Sequence, residues 1–154
     1  MKKPKKLVIG WRETVSLPDL DLTGFQAKID TGARTTALHA TNIRKLEING
    51  RLWVEFLPDH QVLEGSDLCA APVLHKRCIT NTSGTPEERF IITSHIHLGA
   101  RQARIEISLT DRTDMIFPII VGRTGLRQLR MIVDPVRSWL QSEKPHGLSE
   151  RDLK

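Results

Sequence analysis

With 154 residues, 39% of them apolar and 27% charged, the chain has the make-up of one soluble domain with a core of its own. The formal net charge of +5 and a pI near 9.6 favour anionic partners: nucleic acid, an anionic surface or an acidic peptide. Aromatic residues are scarce, with no Tyr, four Phe and three Trp, which argues against a stacking platform for single-stranded nucleic acid.

The first six residues, Met1-Lys2-Lys3-Pro4-Lys5-Lys6, are read as a flexible, solvated basic terminus rather than an RNA-binding arm. Only Leu7 to Gly10 are apolar before Trp11, Arg12 and Glu13 intervene, too short a run for a signal core or a membrane span. A cytoplasmic location with no membrane partner is therefore expected. Cys69 and Cys78 fit no metal-ligand spacing, and in a reducing compartment both are expected to be buried thiols.

Short strands with turn punctuation dominate the rest. Leu7 to Leu17 mixes β-branched and apolar residues, and in Gly24 to Ile29 the inward Phe25, Ala27 and Ile29 alternate with Gln26 and Lys28. Ile43 to Ile48 and Leu52 to Phe56 flank Asn49-Gly50, the favoured pair for a two-residue hairpin turn. Leu57 to Pro72, with Pro58 and Gly65, reads as a loop excursion. Val73 to Thr80 and Arg89 to Leu98 flank the turn-rich run from Asn81 to Pro86, which suits a projecting flap hairpin. Gly99-Ala100 turns the chain into Gln102 to Leu109, where a period of two is clear. Phe117 to Val121 is apolar enough to fill a sheet core. Gly122 breaks that run before a short helix from Arg123 to Arg130, and Met131 to Val133 returns as a strand. The expectation is a single, mostly β domain over residues 7–140, followed by a polar tail over 141–154.

The chemistry concentrates in Lys28 to Ala33. Asp30 ends an apolar stretch and is followed at once by Thr31 and Gly32, so an acid stands in a tight loop that backbone can approach closely. Two carboxylates that share a proton can activate water and protonate a peptide carbonyl together. The sequence has one such loop, so a second copy of the chain would have to supply the second acid across a two-fold axis.

The pairing of Ile29-Asp30-Thr31-Gly32-Ala33 with the later Ile119-Ile120-Val121-Gly122-Arg123, followed by a short helix and a strand, resembles the retropepsins, the single-domain dimeric aspartic proteases. More closely, Asp30 to Ala40 and Ile105 to Leu140 resemble the bacterial retropepsin-like proteins labelled ATP-dependent zinc proteases. The resemblance covers most of residues 7–140. It implies a closed acid-protease barrel with one short C-terminal helix and a homodimer in which the two Asp30 carboxylates meet. It also implies that Thr31 hydrogen-bonds across the axis, that Gly32 admits the substrate backbone, and that Gly122 and Arg123 support the loop from behind. Ala33, Arg34 and the flap's Gly84 would touch a peptide or protein substrate. Ala33 stands where acid-compartment enzymes carry a hydroxyl that stabilises the charged carboxylate, so activity is expected at mildly acidic to neutral pH.

Viral retropepsins place an acid after the Ala, and it pairs with the Arg of the later Gly-Arg. Here Arg34 faces a retained Arg123, so Arg34 either pairs with another carboxylate, such as Asp114 or Asp134, or turns toward the cleft and favours acidic substrates. The bacterial family is associated with glutamate-ligase systems, which makes an oligo- or polyglutamate tail a candidate substrate and a glutamate ligase a candidate partner. No cofactor is expected. The six His are scattered without a His-Glu-x-x-His run, His95 and His97 are read as metal-free strand residues and His39 as structural, and no phosphate-binding Gly-rich loop is present. Trp53 and Trp139 are expected to pack apolar surface. One rival reading keeps the same barrel as a catalytically silent binding module for acidic peptides. Another, a basic RNA-binding protein, is disfavoured and would survive loss of Asp30.

Overall fold

In the computed structural model, residues 4–58, 68–80, 83–112 and 116–146 are described. Several expectations fall on residues outside that set: the first part of the basic terminus, the middle of the excursion at 59–67, the flap residues Asn81 and Thr82, the acid Asp114, and residues 147–154 of the tail.

The stretch read as one strand over Leu7 to Leu17 divides at Trp11 into β1 (Leu7–Gly10) and β2 (Arg12–Leu17), because the two halves pair with different partners. After a single 3-10 turn at Pro18–Leu20, β3 (Leu22–Ile29) folds back on β2. Leu22, Phe25, Ala27 and Ile29 are buried along it while Lys28 is exposed. The alternation slips at Gly24, whose φ of 64 accompanies a register shift between Val15 and Leu17.

A four-residue strand that the sequence reading did not anticipate, β4 (Thr36–His39), follows the Asp30 loop, and β5 (Thr41–Ile48) and β6 (Arg51–Leu57) form the hairpin anticipated at Asn49-Gly50. Both turn residues have positive φ, 50 and 75, as a primed two-residue turn requires. The excursion ends in a strand, β7 (Cys69–Pro72), which completes a three-stranded sheet in the order β5-β6-β7.

Five more strands and one helix complete the set of elements among the described residues: β8 (His75–Thr80), β9 (Pro86–Leu98), β10 (Arg101–Thr110), β11 (Ile119–Val121), α1 (Arg123–Leu129) and β12 (Met131–Asp134). The order β10-β4-β11-β3-β2-β9 closes through an antiparallel β9–β10 ladder, giving a six-strand barrel with β8 hydrogen-bonded to the outside of β9. The fold is therefore mostly β, a closed retropepsin-like barrel with one short helix near its C-terminal end. Closure lets Leu38, Ile92, Ile96, Leu98, Ile107 and Ile119 meet inside with no measurable exposure. Each such side chain contributes about 1.5–3 kcal/mol by leaving water.

β1 pairs in parallel with β12, tying the two ends of the domain together. Beyond β12 the chain is held by the buried Glu13 carboxylate, which accepts hydrogen bonds from the backbone of Gln141 and from Ser142 at 3.0 and 2.7 Å. Thr14 adds a bond to the Glu143 carbonyl at 2.7 Å. Part of the stretch read as a polar tail is thus fastened to the barrel. Trp139 is more than apolar filling: its indole donates to Gln26 Oε1 at 2.8 Å, and the Arg12 guanidinium lies between its ring and that of Trp11, at 4.3 and 4.6 Å. Of the two cysteines Cys69 is buried, but Cys78 is exposed, because it sits opposite the exposed Glu88 on the outer face of the β8–β9 hairpin.

Candidate active site

Ile29, the last residue of β3, is buried, and Asp30 leaves the barrel wall where the parallel neighbour β11 also ends. The Asp30 backbone N–H donates to the Val121 carbonyl at 2.9 Å, which fixes where the loop begins. The loop then folds on its own acid: Gly32 N–H donates to Asp30 Oδ1 at 2.9 Å and Ala33 N–H to the Asp30 carbonyl at 3.2 Å.

The second motif braces this loop from behind. Arg123 and Thr124 donate their backbone N–H groups to the carbonyls of Ala33 and Arg34 at 2.8 and 3.0 Å. Gly122 N–H donates to Thr36 Oγ1 at 3.2 Å. A side chain at Gly122 would place its Cβ 2.7 Å from the Thr35 backbone and 2.9 Å from the Ala33 carbonyl oxygen, so the close approach needs glycine for space. The Arg123 guanidinium reaches over to the Thr31 and Gly32 carbonyls at 2.9 and 3.1 Å. Charge-assisted bonds of this kind are worth about 1.5–3 kcal/mol each, and here they hold the acid's own loop.

In front of the loop lies a groove of about 340 Å³. Asp30, Ala33 and Arg34 line it, and three further arginines join them: Arg77 and Arg89 from the β8–β9 hairpin, and Arg112 from the segment after β10. Asp134, one of the two acids considered for Arg34, is already engaged. It accepts from Arg137 Nε and Val136 N–H, both at 2.8 Å, and these bonds, the arginine's foremost, lower its pKa from the usual carboxylate value. Among the described residues Arg34 forms no ion pair, and its side chain lines the groove.

Thr31 and Gly32 are exposed, and Thr31 lines a second depression of about 470 Å³ together with Leu126, Met131 and Ile132. Gly84 sits in the hairpin turn at φ 82 and is not among the residues lining the groove. His39 is buried, and its Nδ1 accepts the Arg112 backbone N–H at 3.0 Å, so it positions the segment that brings Arg112 to the groove. His95 donates its backbone N–H to Asp19 Oδ2 and pairs with the same oxygen through Nδ1, both at 2.9 Å. Those two bonds, the backbone one first, lower the Asp19 pKa. Among the described residues no group of three or more His, Cys, Asp or Glu side chains converges in a way that would hold a metal. Trp53, half-buried, lines a separate depression with Asp19, Arg51 and Arg104.

Sequence reading missed Arg77, Arg89 and Arg112. A signal existed for the first two: once Thr80 is paired with Pro86, Arg77 and Arg89 lie equally far from the turn and must face each other. Arg112 carries no such mark, since its place depends on the buried His39.

A closed β-barrel that presents an Asp-Thr-Gly loop braced by an Ile-Val-Gly-Arg turn defines the retropepsin-like acid-protease class. Within that class the sequence model of the RimB-like family, described as "Retropepsin-like aspartic endopeptidase RimB", matches residues 8–144, and the chain belongs to that family. The chain is 35% identical over 132 residues to a "Probable alpha-L-glutamate ligase" of Desulfotalea psychrophila, covering 84% of this chain and 28% of that protein. It is 33% identical over 142 residues to a protein of the same name from Shewanella pealeana, covering 90% of this chain and 31% of that one. The chain thus spans less than a third of the length of these curated relatives. A crystal structure of a Legionella pneumophila protein of unknown function superposes with a TM-score of 0.75 at 27% identity, covering 88% of this chain and 98% of that one.

Proposed function

We propose that the chain is a homodimeric aspartic endopeptidase in which the Asp30 carboxylates of two copies form one catalytic pair. The observation that carries this reading is the bracing of the Asp30 loop: four hydrogen bonds from Arg123 and Thr124 hold it and a fifth ties Gly122 to Thr36 at the start of β4, yet the Asp30 carboxylate accepts only the Gly32 N–H among the described residues. A rigid loop with an under-used acid suits a group that must meet a substrate in one geometry. The charged member of the pair takes a proton from water as its oxygen attacks the peptide carbonyl, while the protonated member gives its proton to the carbonyl oxygen. Collapse of the tetrahedral intermediate then breaks the C–N bond, and the amine leaves with a proton from the pair.

Dimerisation through the Thr31 side of the loop is supported by apolar surface there. Val8 and Ile132 are register partners on the β1–β12 sheet and are 42% and 49% exposed, and Ile132 borders the Thr31 depression. A second copy seated on this face would cover them and bring its own Thr31 to the axis. Gly32 would accept the substrate backbone, and Gly84 would lie in the flap that covers it. The four groove arginines, together with relatives named for glutamate ligation, support an oligo- or polyglutamate tail as the substrate and a cytoplasmic setting.

The test compares wild type with Asp30→Asn on acidic and neutral peptides, with the dimer mass measured alongside. Wild type should cleave and the variant should lose at least about 10²–10⁴-fold in kcat/KM with its dimer intact. Equal activity in the two proteins would remove the peptidase reading.

A further inference from the structure

Arg77 and Arg89 are cross-strand partners on β8 and β9, and both side chains line the Asp30 groove. Like charges directly opposite in a ladder oppose each other, so the arrangement works against the free protein. Glu87 approaches Arg89 Nη2 at 3.6 Å, beyond hydrogen-bond range, and Arg89 Nε is buried with no hydrogen-bond partner among the described residues. Ser108, which is 6% exposed and lines the same groove, has a buried hydroxyl that is also without a partner there. Buried polar groups are ordinarily satisfied. Here Arg89 Nε and the Ser108 hydroxyl are left without a partner among the described residues, beside a groove that Arg77 also lines.

A substrate group suited to two arginines and a hydroxyl on this groove would carry negative charge, accept several hydrogen bonds in one plane, and fit beside a polypeptide backbone running past Asp30. A carboxylate has two oxygens with about four acceptor sites and matches the arginine fork. We propose that Arg77, Arg89 and Ser108 form a carboxylate clamp that holds one acidic side chain of the substrate and sets specificity at that position. This rests on the peptidase reading. The clamp differs from general attraction by the groove's positive charge, because a fixed cross-strand pair reads an acid at one place along the peptide. Arg34 and Arg112 approach from other elements and would favour acids at other positions.

The experiment scans a single Glu through an otherwise neutral peptide and records kcat/KM at each position for wild type and for Arg77→Gln/Arg89→Gln. Wild type should prefer Glu at one position by at least about tenfold, the worth of a well-made charged hydrogen-bond pair, and the double variant should lose that peak relative to the other positions. A uniform fall at all positions, or an unchanged peak, overturns the clamp. If the double variant fails to fold, Arg89→Lys keeps the charge without the fork: a halved or smaller peak supports the clamp and a full one overturns it. If wild type cleaves no better than Asp30→Asn, the peptidase reading has failed by itself. The clamp is then decided by fluorescence anisotropy with the same labelled Glu peptides, where position-dependent binding lost in the double variant sustains it and equal binding removes it.

Discussion

Glu13, on β2, and Asp30, just past the end of the neighbouring β3, belong to the same barrel, each with arginines close by, and the chain places them in opposite settings. Glu13 is fully buried and accepts four hydrogen bonds, from Gly10, Leu140, Gln141 and Ser142, at 2.7 to 3.0 Å. Its neighbour Arg12 is wedged between Trp11 and Trp139 and donates to Ser138 Oγ at 2.9 Å. Asp30 accepts one hydrogen bond from within its own loop, and the arginines around it point into a groove. A saturated carboxylate has nothing left to offer a ligand, whereas an unsaturated one held on a braced loop does. Spare hydrogen-bond capacity, together with lesser burial, separates the proposed functional cluster from the structural one.

Removing Glu13 is the severest way to test that contrast. Glu13→Ala strands the buried Gly10 N–H and three part-buried donors, and at about 1–3 kcal/mol for a buried donor left unpaired, less for the part-buried ones, it should cost about 3 kcal/mol in a urea titration. Asp30→Ala under the same conditions should change the midpoint little. Equal losses would erase the distinction between the two acids.

Gly122→Ala probes the brace. The new Cβ would have to displace the Thr35 and Ala33 backbone, at an overpacking cost of about 1–3 kcal/mol. Because those residues carry the Asp30 loop, peptide cleavage should fall by more than the loss of stability accounts for. A variant with wild-type kcat and a wild-type melting curve would show that the brace is dispensable.

The smallest expected effect concerns Asp19, which belongs to neither cluster. Its folded pKa lies below the ordinary value of 3.8, first through the His95 backbone N–H and then through the His95 ring. A depressed carboxylate stabilises the fold above its unfolded pKa, and that contribution disappears as pH falls through the folded value. Asp19 is 46% exposed, so solvent screening keeps the term small. Asp19→Asn should flatten the fall in melting temperature below about pH 4 and leave its value at pH 7 closer to wild type than Glu13→Ala does. Parallel acid limbs for variant and wild type would sink this assignment.

Much of this was legible in the sequence where the signal is local. Asn49-Gly50 specified its hairpin because two successive residues at positive φ leave few alternatives. Asp30-Thr31-Gly32 and Val121-Gly122-Arg123 were each recognisable, and they meet in space as a braced loop. β4 escaped notice because four residues following a polar loop give too short an alternation to read. The Glu13 hub was hidden for another reason: its partners at 140–142 lie more than a hundred residues away, and nothing near Glu13 announces them. Arg77 and Arg89 fell between these cases, since their meeting depends on a hairpin register that the turn residues alone do not fix. The exposure of Cys78 depends on the same register.

The bracing of the Asp30 loop also bears on the order in which parts of the molecule take shape. The N–H groups of Arg123 and Thr124 that bond the loop carbonyls, and the Val121 carbonyl that anchors Asp30, come from about ninety residues downstream. During synthesis the acid therefore emerges long before the turn that shapes its surroundings, and contacts of such separation form late because loop closure must come first. A chain stalled short of Gly122 would carry every residue of the Asp-Thr-Gly motif and no formed site. The braced loop thus takes shape only with the completed barrel, and the pairing of two such loops proposed above can follow only after that.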